Sequence, residues 1–231
     1  MIKPGPSGLL KPYGDQMSIT PQDACKRNRE ICELAPIVPV LVVDNAADAR
    51  PLAEALIAGG LPALEVTLRT PAALEAIAEM AKVKGGVVGA GTLITPRDVE
   101  NAVAAGAKFG VSPGATDDLI AACEALGLPL LAGAATATEA MQMLARGYDL
   151  LKFFPAEASG GAPALKAIGA PLPQISFCPT GGVSLANATD YLDLPNVICA
   201  GGSWVAPKNL VAAGDWAGIE ALAREASQLG K

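Results

Sequence analysis

The feature that most constrains the fold is an alternation, after Thr20, of short apolar runs with alanine-rich stretches. Eight runs of apolar and β-branched residues begin 20 to 27 residues apart. A parallel strand followed by a crossover helix and two loops needs about that length. The pattern therefore predicts eight βα units, with strands beginning near Ile37, Leu64, Val87, Phe109, Pro129, Leu150, Ile175 and Val197.

The stretches between these runs carry the start and stop signals of helices. Thr-Pro pairs at 70–71 and 95–96 predict an N-cap followed by Pro in the first turn. Single glycines such as Gly106 and Gly147 are typical of helix ends. The predicted helices are 21–34, before the first strand, and then 46–59, 71–83, 96–105, 115–126, 136–146, 160–168, 185–192 and 209–229.

Eight βα units in succession predict a (β/α)₈ TIM barrel with an extra N-terminal helix. Residues 19–231 are expected to form this single domain. Residues 1–18 hold three prolines and three glycines without periodicity, so we interpret them as an extension or disordered segment. A doubly wound open sheet is the alternative, because periodicity does not by itself show that a sheet closes.

Composition excludes several classes of function. The chain contains no histidine, which excludes a Ser-His-Asp triad and any metal site with a histidine ligand. A net charge of −6 disfavours nucleic acid and anionic membranes as partners. No apolar run reaches the length of a membrane-spanning helix. Five cysteines without a CxxC spacing predict buried thiols in a reducing compartment, the cytoplasm.

The second run places charged residues in a predicted strand. Glu65, Thr67 and Arg69 alternate with apolar residues, so they are expected to share one face, toward the barrel axis. Burying a carboxylate and a guanidinium is costly unless they are paired or used in chemistry. A purely structural Glu65–Arg69 ion pair is the alternative interpretation.

The sixth run places a single lysine, Lys152, among five apolar residues of 150–155. Burial favours the neutral amine over the ammonium, and a neutral amine is the nucleophile of Schiff-base enzymes. A lysine paired with Glu65 for structure alone, or one reaching to the rim, is the alternative.

Paired glycines follow the last two runs, at Gly181-Gly182 and Gly201-Gly202. Glycine lets a ligand approach the backbone closely, and N–H groups at helix N-termini bind anions. The loops after strands 7 and 8 are the usual phosphate site of barrels that handle phosphate. The two pairs therefore predict a phosphate site, with ordinary turn glycines as the alternative.

Six segments together resemble the class I 2-keto-3-deoxy-6-phosphogluconate aldolases, which often also cleave 4-hydroxy-2-oxoglutarate. They are EVTLRT (65–70), GAGT (89–92), SPG (112–114), KFFPAE (152–157), CPTGG (178–182) and GGSW (201–204). The resemblance spans roughly 21–229 and implies a metal-free, cofactor-free lyase acting on a phosphorylated keto acid. It also implies a homotrimer.

The resemblance further implies a role for each motif residue. Lys152 would form the Schiff base and Glu65 would be the general acid-base. The substrate contacts would come from Arg69 and Thr92 at the pyruvyl carboxylate, Pro113 and Phe154 as walls, Thr180 near the cleaved bond, and Gly181, Gly182, Gly202 and Ser203 at the phosphate.

Other functions remain open on the residues alone. An isomerase or epimerase of phosphosugars would explain the paired glycines and the carboxylate but would not need a lysine in an apolar strand. A sister aldolase for 2-keto-3-deoxy-6-phosphogalactonate would differ by one stereocentre. A non-catalytic phosphate-binding barrel would be favoured by loss of the charged pair, yet Lys152 and Glu65 are both present.

Overall fold

The computed structural model describes residues 18–230. The segment predicted as an extension, 1–18, lies outside the described residues except for Ser18. The strands are Ile37–Leu41 (β1), Ala63–Thr67 (β2), Val87–Gly91 (β3), Gly110–Val111 (β4), Leu130–Ala134 (β5), Leu150–Phe153 (β6), Ser176–Pro179 (β7) and Ala200–Gly202 (β8). The α-helices are Pro21–Cys32 (α1), Ala49–Ala58 (α2), Ala73–Met80 (α3), Pro96–Ala104 (α4), Asp117–Ala125 (α5), Ala137–Arg146 (α6), Gly161–Gly169 (α7), Ala188–Leu192 (α8), Lys208–Ala213 (α9) and Trp216–Ala226 (α10).

All eight strands are parallel and follow one another in chain order around the sheet, with β8 beside β1. Two isolated bridges, Phe177 to Val197 and Thr180 to Gly201, join β7 to β8 and close the ring. The predicted (β/α)₈ barrel is confirmed. A doubly wound sheet, whose strand order reverses part-way, does not describe this order.

Threonine caps start several of the helices that cover the barrel. Thr95 with Asp98 and Thr136 with Glu139 each form a capping box, in which side chains and backbone N–H groups bond reciprocally. The Glu139 carboxylate accepts hydrogen bonds from the N–H of Ala135 and from Thr136. These bonds, and the one from Ala135 most of all, lower the pKa of Glu139 below its usual value. The predicted cap at Thr70 is wrong, because its hydroxyl donates to the Val43 carbonyl at 2.5 Å and α3 starts later.

The predicted helix 209–229 is two helices, α9 and α10. Gly214 ends α9 in the left-handed region at φ 65°, and Asp215 then caps α10 by accepting the N–H of Gly218 at 2.9 Å. Alanine-rich composition on both sides hid this break. The sequence signal for it was the Gly-Asp pair itself.

The strand register shows which residues share the inner face of the barrel. Glu65 of β2 lies opposite Gly89 of β3. Lys152 of β6 lies opposite Gly133 of β5 and Cys178 of β7. Partners in register point to the same face of a sheet. The barrel interior at this level therefore carries two charged side chains, with a small residue beside Glu65 on β3 and beside Lys152 on both β5 and β7.

Helix α1 packs against the end of the barrel where strands begin. Its Arg29 donates to Ser176 Oγ at 3.2 Å, at the start of β7, and bonds Asp149 just before β6. The Asp149 N–H in turn donates to Cys25 Sγ at 3.3 Å. The predicted N-terminal helix is therefore present, and it lies opposite the strand C-termini, where barrel enzymes carry their active sites.

No helix among residues 18–230 has both the length and the apolar character to cross a bilayer.

Candidate active site

The centre of the site is a buried ion pair between two distant strands. Lys152 Nζ lies 3.2 Å from Glu65 Oε1, and the two residues are 5% and 3% exposed. Water is largely excluded, so the attraction between the charges is much stronger than on a surface. A neighbouring carboxylate can accept a proton from the amine, which gives the pair both a nucleophile and an acid-base group.

The alternative of a Glu65–Arg69 ion pair is wrong. β2 ends at Thr67, and the chain turns there as the Arg69 N–H donates to the Thr67 carbonyl at 2.8 Å. Arg69 is therefore an exposed residue of the loop at the mouth rather than an inner strand residue. The alternation of side chains along a strand predicts which face a residue points to only within the strand, and β2 ends before Arg69.

Arg69 instead bonds Thr92 from the neighbouring loop. Its Nε donates to Thr92 Oγ1 at 3.3 Å. Within the described residues, Thr92 is the only non-glycine with positive φ, 63°, a costly conformation for a β-branched side chain. Backbone bonds on both sides, from Leu68 to Gly91 and from Leu93 to Val111, hold it there. The guanidinium and the strained threonine together form a cationic, hydroxyl-bearing corner at the barrel mouth.

Glycines on neighbouring strands make room for the functional side chains. A Cβ at Gly91 would lie 2.3 Å from Glu65 Oε1, and one at Gly201 would lie 2.3 Å from Thr180 Oγ1. Both distances are far inside van der Waals contact. Thr180 Oγ1 is buried without a hydrogen-bond partner among the described residues, so this hydroxyl is free to bond a ligand.

Two further residues surround the lysine. The ring of Phe154 has its centroid 5.2 Å from Lys152 Nζ, a cation–π distance. A Cβ at Gly133, the register partner of Lys152, would lie 2.2 Å from the carbonyl oxygen of Pro113. The missing side chain therefore lets the 113–114 loop fold over the barrel beside the lysine, while Pro113 itself is exposed.

The first predicted phosphate loop has free backbone donors. Among the described residues, no acceptor receives the N–H groups of Gly181, Gly182 or Val183. The carbonyls on the other side of this loop are occupied: Gly181 accepts from Glu157 N–H at 3.0 Å, and Gly182 accepts from Asn187 Nδ2 at 3.2 Å. Gly181 and Gly182 have φ of 101° and 81°, which favours glycine.

The second predicted phosphate loop begins at the end of β8. Gly202 is buried, and a Cβ there would lie 1.8 Å from the ring of Trp204, so this glycine also serves packing. Ser203 is exposed, and its N–H has no acceptor within residues 18–230.

The helix N-termini expected at these two loops are displaced from them. α8 starts at Ala188 and α9 at Lys208, and they have five and six residues. Any anion at the glycine pairs would therefore meet loop N–H groups rather than the ends of long helices.

None of the five cysteines presents an exposed thiol to the site. All five are buried and none forms a disulfide. Burial raises the pKa of the Cys123 thiol to about 12, which makes it inert as a nucleophile at neutral pH. Within the described residues, no group of three or more His, Cys, Asp or Glu side chains could hold a metal ion.

Several residues that shape the site were not predicted. Gly91 and Gly133 act through the side chains that they do not have, and so does Gly201, which was predicted only as part of a phosphate loop. A glycine inside a strand signals close approach by another group, but not by which group. Glu157 stood in the KFFPAE motif without a role, although it bonds the 181–182 loop.

Fold and site together define a class: a (β/α)₈ barrel with a buried amine and an adjacent carboxylate inside it. Residues 29–222 match the family model described as "Aldolase: KDPG and KHG aldolase". The chain belongs to this KDPG and KHG aldolase family, as the motifs predicted, and is therefore a lyase.

Named relatives agree with this assignment. The chain is 50% identical over 200 residues to the 2-dehydro-3-deoxy-phosphogluconate aldolase of Pseudoalteromonas atlantica, covering 86% of this chain and 93% of the relative. It is 50% identical, with a TM-score of 0.84, to the Zymomonas mobilis 2-keto-3-deoxy-6-phosphogluconate aldolase solved with 3-phosphoglycerate, covering 89% of this chain and 97% of that one. A Legionella pneumophila KDPG aldolase, solved with pyruvate captured as a covalent carbinolamine intermediate, is 45% identical with a TM-score of 0.84, covering 87% of this chain and 98% of that one.

Proposed function

We propose that this chain cleaves 2-keto-3-deoxy-6-phosphogluconate to pyruvate and glyceraldehyde 3-phosphate, and 4-hydroxy-2-oxoglutarate to pyruvate and glyoxylate. The observation that carries the proposal is the buried Lys152–Glu65 pair at 3.2 Å. The family membership and the names of the relatives support the substrate class. Residues 19–231 would act as one aldolase domain.

The first half of the reaction uses Lys152 as nucleophile. Its neutral amine adds to the C2 carbonyl, and loss of water gives a protonated imine. Glu65 accepts the proton of the attacking amine and returns a proton to the departing hydroxyl. Phe154 lies over the amine at cation–π distance and would stabilise the cationic imine.

The second half breaks the C3–C4 bond. A base, Glu65 directly or through a water, removes the C4 hydroxyl proton, the C4 oxygen becomes an aldehyde, and the bonding electrons move into the imine to form an enamine. Glu65 then protonates the enamine at C3, and hydrolysis releases pyruvate and the free amine. The pair needs no metal for these steps, because the imine is the electron sink.

The remaining residues would bind and orient the substrate. Arg69 and Thr92, bonded to each other at the mouth, would hold the pyruvyl carboxylate. The unpartnered hydroxyl of Thr180 would contact the substrate beside the cleaved bond. The walls would be Pro113 and Phe154, and the phosphate would meet Gly181, Gly182, Gly202 and Ser203. Among the described residues, the N–H groups of Gly181, Gly182 and Ser203 have no acceptor.

Two further statements belong to the proposal. Five free cysteines favour a reducing compartment, the cytoplasm. Ile94 and Met141 are 61% and 57% exposed, and large exposed apolar side chains favour association. A homotrimer would appear as three times the chain mass in size-exclusion chromatography with light scattering, whereas a monomer mass would contradict it.

Trapping tests the chemistry directly. Pyruvate with borohydride should add the mass of a reduced pyruvyl group to one lysine, which peptide mapping should identify as Lys152. A chelator should leave cleavage unchanged. An adduct on another lysine, or activity that needs an added divalent metal, would overturn the mechanism. Comparing gluconate and galactonate epimers as substrates decides between the two sister aldolases.

A further inference from the structure

The segment between β6 and α7 contacts the first glycine loop through three separate bonds or contacts. Ala156 N–H donates to the Thr180 carbonyl at 2.9 Å, and Glu157 N–H donates to the Gly181 carbonyl at 3.0 Å. The stem of Glu157 fills the space where Gly182 lacks a side chain, since a Cβ there would lie 2.6 Å from Glu157 Cγ. The position of Glu157 therefore sets the position of the loop.

Tyr191 fixes Glu157 in turn. The hydroxyl of Tyr191, from α8, donates to Glu157 Oε1. The tyrosine is 1% exposed, and burial together with this bond raises its pKa, so the hydroxyl stays protonated and remains a donor. A buried, rigid donor thus holds an otherwise solvent-exposed carboxylate.

A carboxylate beside a phosphate loop is unexpected on charge alone, because it would repel a phosphate. Its value must lie in geometry instead. With the Gly181 and Gly182 carbonyls held by Glu157 and Asn187, the loop N–H groups have no acceptor among the described residues. Loop donors that are fixed before binding cost less entropy when the ligand arrives.

We propose that Glu157, held by Tyr191, is a positioning residue that orients the Gly181-Gly182 loop toward the substrate phosphate. This inference rests on the proposed function. It assigns Glu157 no contact with the reacting atoms. Its effect should therefore fall on KM for phosphorylated substrate, while kcat and the cleavage of unphosphorylated substrate are kept.

The test compares three variants on two substrates, 2-keto-3-deoxy-6-phosphogluconate and 4-hydroxy-2-oxoglutarate. Glu157→Ala loses the bond of the carboxylate to Tyr191 and the stem that packs against Gly182, although its backbone N–H still donates to Gly181. Because both side-chain contributions are lost, it should raise KM for the phosphorylated substrate about tenfold. Tyr191→Phe loses only the donor and should raise it about threefold. Glu157→Gln keeps an acceptor for Tyr191 and should stay within about twofold of wild type.

We expect the fold to tolerate these substitutions. Glu157 and Tyr191 line an open groove of about 730 Å³ outside the barrel, so truncating Glu157 opens to solvent rather than to a core cavity. Asp190→Asn is the matched control, because it removes an exposed neighbouring carboxylate that does not bond the loop. It should leave both KM values unchanged.

Two results would overturn the positioning role. A lower KM for the phosphorylated substrate in Glu157→Ala and Glu157→Gln would show that the carboxylate acts by repulsion. Equal losses on both substrates would show a general structural role. Failure of the proposed function is distinguishable, because wild type itself would then lack phosphorylated-substrate cleavage or the Lys152 pyruvate adduct.

Discussion

The proposed pyruvyl end of the site has charged side chains inside the barrel, whereas the proposed phosphate end has backbone N–H groups on loops. Lys152 and Glu65 are almost fully buried, while Gly182 and Ser203 are exposed. Burial strengthens a charge interaction and allows bond-making chemistry, but exposed neutral donors can only bind. The comparison teaches that one end should govern turnover and the other affinity.

The largest expected effect is the loss of the nucleophile. Lys152→Ala should lower kcat on both substrates by more than about 10³-fold, because no amine remains to form the imine. Pyruvate and borohydride should then leave the protein unmodified, as measured by intact mass. Lys108→Ala, an exposed lysine just before β4, is the control and should react like wild type. Continued trapping on another lysine would reject this assignment.

Glu65→Gln should come next. General acid-base groups contribute about 10² to 10⁴-fold, so kcat should fall by that amount on both substrates while pyruvate still binds. Removing one partner of a buried ion pair destabilises a protein. Steady-state kcat should therefore be measured together with a thermal melting curve, which separates a loss of chemistry from a loss of folding. A kcat near that of the wild type would show that Glu65 is structural, and the buried end of the site would then not govern turnover through this carboxylate.

A methyl group at Gly91 should disturb the buried end without removing any functional atom. Gly91→Ala places a Cβ 2.3 Å from Glu65 Oε1, and a catalytic group displaced by about 1 Å can cost about 100-fold in rate. Gly114→Ala is the matched control, since its Cβ meets nothing within 4 Å. Measuring kcat for both variants tests the packing argument. If both keep wild-type rates, the space at Gly91 is not what places the base.

Ser203→Ala should have the smallest effect and should fall on one substrate only. A hydrogen bond to a charged group contributes roughly 1.5–3 kcal/mol. Because Ser203 is exposed, we expect the lower end of that range, so kcat/KM for the phosphorylated substrate should fall by about tenfold. Cleavage of 4-hydroxy-2-oxoglutarate, which has no phosphate, should hardly change. Equal losses on the two substrates would move Ser203 to the common pyruvyl end. Valine at Gly202 would be a poorer test, because its Cβ would overlap the Trp204 ring.

Much of this arrangement could be predicted from the sequence. Length periodicity gave eight βα units, and a lone lysine or glutamate inside an apolar strand is costly enough to stand out. Lys152 and Glu65 were therefore found by their local cost. The sequence predicts their pairing only as an alternative, a lysine paired with Glu65 for structure alone, and the 3.2 Å distance could not be predicted, since only barrel closure brings β2 and β6 face to face.

Other features depend on three-dimensional packing that local pattern does not encode. Arg69 lies in a loop because β2 ends two residues earlier. The hydroxyl of Thr70 donates to the carbonyl of Val43, twenty-seven residues away in the chain, and does not cap the helix that follows it. Helices α8 and α9 likewise start several residues after the glycine pairs. The turn-forming residues in between predict a loop but not its length.

The glycines that make room for Glu65 and Thr180, Gly91 and Gly201, also limit how this site can change over generations. At Gly201 every single replacement adds atoms against Thr180, so the first step is harmful. If Thr180 is first replaced by alanine, the contacts with its Oγ1 and Cγ2 disappear and only the contact with its Cβ, at 3.1 Å, remains for the same replacement at Gly201. The order of mutations therefore decides which are viable, and altered specificity would arise through paired changes on adjacent strands. Libraries that vary both positions of a pair together should recover active barrels that one-at-a-time scanning misses.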